Sequence, residues 1–156
     1  MPNTGTIGGY FRNDHDRLDA LLQSFQTLKR RNCSKAKEAF TQFKSSLERH
    51  IRWEEELLFP LWEEKTGMSD GGPTFVMRHE HRRIEEQLQA IDRNITGDNA
   101  DNTEPEQALL ALLAAHNLKE ERVLYPAIDQ VTTPEEWGEI LMKIQHVPGD
   151  RCESPA

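Results

Sequence analysis

Ala36, Phe40, Phe43, Leu47, His50, Glu54, Leu57 and Leu61 follow one another at steps of 4, 3, 4, 3, 4, 3 and 4. That spacing is the seam of a helix packed inside a bundle, and it leaves the segment few other folds. Two polar residues, His50 and Glu54, stand in a row otherwise reserved for apolar side chains. Three further stretches repeat the period: Phe11, His15, Leu18, Leu22, Phe25, Leu28; then Met77, His81, Ile84, Leu88, Ile91, Ile95; then Leu109, Leu113, His116, Glu120, Val123, Ala127. Each seam carries a histidine. No segment alternates over six residues as a half-buried strand does. The expected fold is therefore all-α, an antiparallel up-and-down four-helix bundle.

The connections agree with four helices. "RRNCS" is short, "TGMSDGGP" is rich in turn formers, and "TGDNADNTEP" is longer and polar. Pro73 and Pro105 suit the first turns of the third and fourth helices. The longer loop fails as a calcium site: Ala100 stands where a ligand should follow Asp98, and Thr103 replaces the central Gly. In "TTPEEWGEILMKIQH", Thr133 and Glu136 form a capping box with Pro134 behind them, predicting a short C-terminal fifth helix. Trp137, Ile140, Leu141 and Ile144 should pack it against the bundle. With 156 residues the chain is read as a single domain, the bundle over about 10–130, and a short helix with a frayed tail, "VPGDRCESPA", over 131–156.

A net charge of −8 argues against nucleic acid and against an anionic membrane surface as partners, because both need a basic face. The opening "MPNTGTIGGYF" has neither the basic nor the apolar region of a signal peptide. No apolar run approaches the roughly 20 residues that span a bilayer. Cys33 and Cys152 form no CxxC. A cytoplasmic setting is the expectation.

A shift of 66 positions takes His50 to His116, Glu54 to Glu120, Glu55 to Glu121, Leu58 to Leu124 and Pro60 to Pro126, with Phe59 falling on Tyr125. The same shift takes His15 to His81, Leu18 to Ile84 and Leu22 to Leu88. The chain thus reads as two helix hairpins of one design, each with a lone His on its first helix and HxxxE on its second. Stacked about a pseudo-two-fold axis, they would bring four His and two Glu together at mid-bundle.

Bare carboxylates in an apolar seam cost several kcal/mol each unless paired or bound to a cation. No Lys or Arg falls on the four seams, whereas two metal ions would neutralise Glu54 and Glu120. Imidazole mixed with carboxylate suits iron, while magnesium and calcium prefer all-oxygen ligands and structural zinc a closed tetrahedron. If both glutamates bridge and four histidines bind terminally, the protein fills about eight of roughly twelve positions on two octahedral ions. A solvent-derived oxo or hydroxo bridge takes about two more on the same count, leaving one position per metal for O₂, H₂O₂ or NO.

At "DHDRL", "HIRWEEELLFPL", "EHRRI" and "HNLKEERVLYP" the chain resembles hemerythrin-like (HHE cation-binding) domains over about residues 10–130. The resemblance implies metal ligation by His15, His50, Glu54, His81, His116 and Glu120. His15 and His50 would serve one iron, His81 and His116 the other, and both glutamates would bridge. Oxygen-carrying members place HxxxH on the third helix, where this chain has Met77, and end the fourth-helix motif in Asp one residue further on. The H-HxxxE-H-HxxxE order resembles instead the iron–sulfur repair and iron-sensing branches.

Other residues are read more plainly. His79 lies about 200° round the helix from His81 and should face solvent or the rim. His146, in the fifth helix, is expected at the surface. Glu55 and Glu121 either orient ligating histidines or solvate a helix flank and pair with Arg. Met77 and Phe11 are expected to pack, as a dry wall beside the metals. Tyr125 is either a hydrogen-bonding or redox neighbour or, as its counterpart Phe59 suggests, a packing residue. The function these readings support is a non-haem di-iron protein that binds or reduces a small oxidant. The alternative is an iron- or oxygen-responsive sensory or binding module without turnover; iron storage fits a site closed by six protein ligands less well.

Overall fold

The computed structural model describes residues 5–97 and 99–146, so Asp98 of the loop tested for calcium, Cys152 and the tail from 147 lie outside it. Every regular element among the described residues is a helix. Helix α1 spans Ile7–Lys29 and α3 spans Pro73–Thr96. Helix α2 covers 33–66, made of Cys33–Trp53, a π turn at Glu54–Leu58, and Phe59–Thr66. Helix α4 covers 104–131 in the same three parts: Glu104–Lys119, a π turn at Glu120–Leu124, and Tyr125–Val131. Helix α5 is Pro134–Ile144. α1 packs on α2 and α3 on α4, and the two hairpins meet through α1 with α4 and α2 with α3. This is a four-helix bundle, with α5 laid beside the π turn of α2. No helix among the described residues is long and apolar enough to cross a membrane.

Local chemistry sets the helix ends. The Thr6 hydroxyl accepts the Gly9 N–H at 2.9 Å, and the Asn32 side chain accepts the Lys35 N–H at 3.1 Å. Gly67, at φ 71°, stops α2 in the left-handed region. Thr133 and Glu136 form the capping box expected for α5. The start of α1 is tied across the bundle as well: Asp129 on α4 accepts the N–H groups of Ile7 and Gly8 at 2.9 and 3.0 Å. A Cβ at Gly8 would lie 3.3 Å from the Asp129 carboxylate and 3.6 Å from Cβ of Tyr125, so glycine permits this close approach.

The core is divided. One apolar cluster contains Leu18, Leu22, Phe25, Phe40, Phe43, Leu47, Ile84, Leu88, Ile91, Leu109 and Leu113. The other contains Ile7, Phe11, Trp53, Leu58, Phe59, Met77, Leu124, Tyr125, Ile128 and Trp137. On each of the four bundle helices the ligating seam residues stand where one cluster gives way to the other, as His15 stands between Phe11 and Leu18. A buried polar layer therefore crosses the bundle between two apolar halves.

The predicted seams hold up to Glu54 and Glu120 and then slip. Leu57, Leu61 and Ala127 are only half-buried and Val123 is 62% exposed, while Leu58, Phe59, Trp62, Leu124, Tyr125 and Ile128 turn inward. The cause is the π turn. The N–H of Phe59 bonds to the carbonyl of Glu54, and that of Tyr125 to Glu120, five residues back instead of four. Each turn inserts one residue and rotates everything after it. Pro60 and Pro126 follow at once, where the wider turn relieves the clash of a proline ring with the carbonyl four residues earlier.

Candidate metal centre

All six predicted residues meet in the polar layer. α1 brings His15, α2 brings His50 and Glu54, α3 brings His81, and α4 brings His116 and Glu120; all are buried. The imidazoles form two pairs, with ring centroids 4.8 Å apart for His15 and His50 and 4.9 Å for His81 and His116. The carboxylates lie between the pairs and turn one oxygen to each. Glu54 Oε2 faces His50 Nε2 at 3.5 Å, and its Oε1 faces His81 Nε2 at 3.1 Å. Glu120 Oε1 faces His15 Nε2 at 3.3 Å, and its Oε2 faces His116 Nε2 at 3.1 Å. Two overlapping donor sets result, His15–His50–Glu54–Glu120 and His81–His116–Glu54–Glu120, with the donor atoms of each within 4.8 Å of one another.

Four outer carboxylates aim the imidazoles. His15 Nδ1 donates to Glu121 and His81 Nδ1 to Glu55, both at 2.7 Å. His50 Nδ1 donates to Asp14 and His116 Nδ1 to Glu80, both at 2.8 Å. Each of these acids has a cation behind it: Arg12 on Glu121, Arg82 on Glu55, Arg17 on Asp14 and Lys119 on Glu80. With Nδ1 committed as donor, every Nε2 points into the layer as the atom that can bind a metal. Glu55 and Glu121 therefore do both things weighed for them, orienting a histidine and pairing with an Arg. Asp14 and Glu80 escaped the sequence reading, although the shift of 66 relates them and each immediately precedes a seam histidine.

A hemerythrin HHE cation-binding domain profile matches residues 6–128. The chain belongs to the hemerythrin family. The match takes in α1, α2, α3 and nearly all of α4, so every residue of the hemerythrin centre described above falls inside it. Comparison with curated proteins and with solved structures returns no match.

Without a cation the hemerythrin centre is balanced by protons. Burial works against a charged His50, yet the Glu54 and Asp14 carboxylates outweigh it and raise its pKa to about 10. His81 is likewise held well above the ordinary imidazole value, against burial, by Glu120, Glu54 and Glu55. Glu120 falls well below the usual carboxylate range: burial opposes this, and His116, His15 and His81 prevail. Three fully buried ligating atoms, Glu54 Oε1, His81 Nε2 and Glu120 Oε2, nonetheless make no well-aligned hydrogen bond, although both oxygens lie close to imidazole nitrogens. Buried polar atoms left so are costly, and all three belong to residues of the second donor set. A cation there would satisfy them at once. The residues fit a metal.

Phe11 and Met77 pack as expected, and of the two readings open for Tyr125 the structure shows the hydrogen-bonding one. Phe11 is a wall, edge-on to His50 at 5.3 Å, and Met77 packs in the apolar cluster. Tyr125 is a hydrogen-bonding neighbour: its hydroxyl donates to Glu54 Oε2 at 2.6 Å and approaches Glu120 Oε1 at 3.0 Å. Burial, then Glu120 and Glu54, push its pKa well above the usual phenol value. His79 is exposed against Phe75, and His146 lies exposed in a turn just past α5.

Proposed function

We propose that this hemerythrin-family protein is a non-haem di-iron protein that binds or reduces a small oxidant, O₂, H₂O₂ or NO. The observation that carries this reading is the sharing of Glu54 and Glu120: each turns one oxygen to either histidine pair, an arrangement suited to two bridged ions. Two irons with a solvent-derived oxo or hydroxo bridge would supply the redox chemistry when bound. His15 and His50 would hold one iron and His81 and His116 the other, with their Nε2 atoms aimed by Asp14, Glu121, Glu55 and Glu80. The protein's own tasks are to place these donors, keep the imidazoles in one tautomer and exclude bulk water. Burial of every donor favours a diatomic or peroxide-sized ligand over a larger substrate.

Iron reconstitution with metal analysis tests the reading. Two ions per chain are expected, and Glu54→Gln or Glu120→Gln should lower that number; unchanged occupancy in both variants would overturn the bridging roles. Adding O₂ or H₂O₂ to the di-ferrous protein then separates the kinds of use. Reversible colour under vacuum means carriage or sensing, repeated consumption of peroxide means an enzyme, and no spectral response means a binding module without turnover.

A further inference from the structure

The two halves of the centre part company at one pair of related positions. Phe59 in the first half corresponds to Tyr125 in the second. Each ring lies 5.8 Å from the histidine of the other hairpin's first helix, Phe59 beside His81 and Tyr125 beside His15. Phe59 brings no polar atom. Tyr125 brings a hydroxyl, and that oxygen sits inside the first donor set: 2.6 Å from Glu54 Oε2, 3.0 Å from Glu120 Oε1, 3.3 Å from His15 Nε2 and 3.5 Å from His50 Nε2. Adjacent donors on one octahedral ion, each about 2.1 Å from the metal, stand about 3.0 Å apart. The four distances scatter about that value. A single hydrogen bond to Glu54 would satisfy a buried phenol, whereas this oxygen stands within 3.5 Å of all four other donors at once.

The second donor set behaves differently. It has no phenol, and three of its ligating atoms, Glu54 Oε1, His81 Nε2 and Glu120 Oε2, are the buried ones without a well-aligned hydrogen bond. Its wall is the face of Phe59, parallel to the His81 ring within 7°.

We propose that Tyr125 is a metal ligand at the His15/His50 position, making the two positions of the centre unequal. This rests on the di-iron reading above. The first position is closed by five protein donors, His15, His50, Glu54, Glu120 and Tyr125. The second, with four, keeps the place for the exogenous small ligand beside the apolar Phe59 wall. On coordination the phenol O–H bond breaks, an oxygen–metal bond forms and the proton leaves to solvent; no electron changes hands. Phenolate is a hard anionic oxygen donor and favours ferric over ferrous iron at that position.

Resonance Raman and visible spectra of the fully ferric protein, with iron content measured on the same sample, test the proposal. Phenolate ring modes enhanced under a phenolate-to-iron charge-transfer band are expected, and Tyr125→Phe should abolish them while circular dichroism stays helical. Azide, a small anionic probe, should bind once per chain in the parent protein and twice in Tyr125→Phe, where the closed position is vacated. A two-iron protein without phenolate modes overturns the ligand role and leaves the di-iron reading standing. Modes that survive in Tyr125→Phe overturn it too, since they would arise from Tyr10, the other tyrosine of the chain. Failure to take up iron overturns both readings. If Tyr125→Phe does not fold, the parent spectrum decides alone.

Discussion

An imidazole can meet a metal through either nitrogen, and here the choice is made by carboxylates on neighbouring helices. Asp14 and Glu80 reach from the first helix of each hairpin to the histidine on its second, His50 and His116. Glu55 and Glu121 reach between hairpins, to His81 and His15. Removing one such acid leaves the ligand in place and frees its ring. Asp14→Asn or Glu80→Gln should therefore weaken metal affinity by about 10–100-fold without abolishing binding, as read in a competition titration against a chromophoric chelator; undiminished affinity in both would show that the ring is aimed by packing alone. At this scale the six inner donors were legible, because a polar residue in an apolar seam is a local anomaly. Their outer partners were only half legible. Glu55 and Glu121 could be matched by the repeat, but which histidine an acid faces is a property of helices separated by tens of residues. Tyr125 was harder still, since a Phe-to-Tyr exchange between repeats reads as hydrophobic until the hydroxyl is placed.

The π turns show how an element can be right in kind and wrong in phase. In "EEELLFP" and "EERVLYP", apolar residues sit at adjacent positions, so a seam continued by steps of 3 and 4 finds a hydrophobic residue with or without an inserted residue. The inserted residue has consequences for the centre, since it turns Phe59 and Tyr125 inward against His81 and His15. It also leaves the carbonyl of Glu55 facing Pro60, which has no N–H to return five residues on; Nη2 of Arg78 lies 3.5 Å from that oxygen and its guanidinium covers the Phe59 ring. The phase can be tested on α4. Leu124→Ala should destabilise the protein by about 2–5 kcal/mol, as a fully buried Leu does, whereas Val123→Glu should stay within about 0.5 kcal/mol as an exposed substitution does. Urea denaturation at one pH checks both, and the reverse order would restore the unbroken seam.

Across the whole molecule, a layer of buried charge separates two apolar clusters, and what neutralises that layer sets how stability depends on pH. In the metal-free protein the neutralising charges are protons on imidazole. His50 titrates near 10 in the fold, and His15 and His81 are raised in the same direction, each against the opposing effect of burial. An unfolded histidine titrates near 6.5. Below about that pH both states are protonated and the contribution of these groups is fully present; as pH climbs toward 10 the folded state alone holds the protons and the contribution drains away. The carboxylates bound the other side. Asp14, Glu55, Glu80, Glu120 and Glu121 are all depressed in the fold, so the stability they add is present above the ordinary carboxylate range and is lost on acidification. The metal-free protein should therefore be most stable between about pH 5 and 6.5, and its melting temperature should fall by several degrees from pH 6 to pH 9, each kcal/mol moving it about 2–4 °C at this chain length. Bound metal should remove the alkaline limb. Ions in place of imidazolium protons neutralise Glu54 and Glu120 at any pH where the imidazoles are free to bind, so the loaded protein should hold its melting temperature to pH 9. Thermal melts followed by circular dichroism at pH 6, 7.5 and 9, with and without bound iron, should diverge on the alkaline side. Parallel curves would mean that metal and protons do not compete for the same nitrogens.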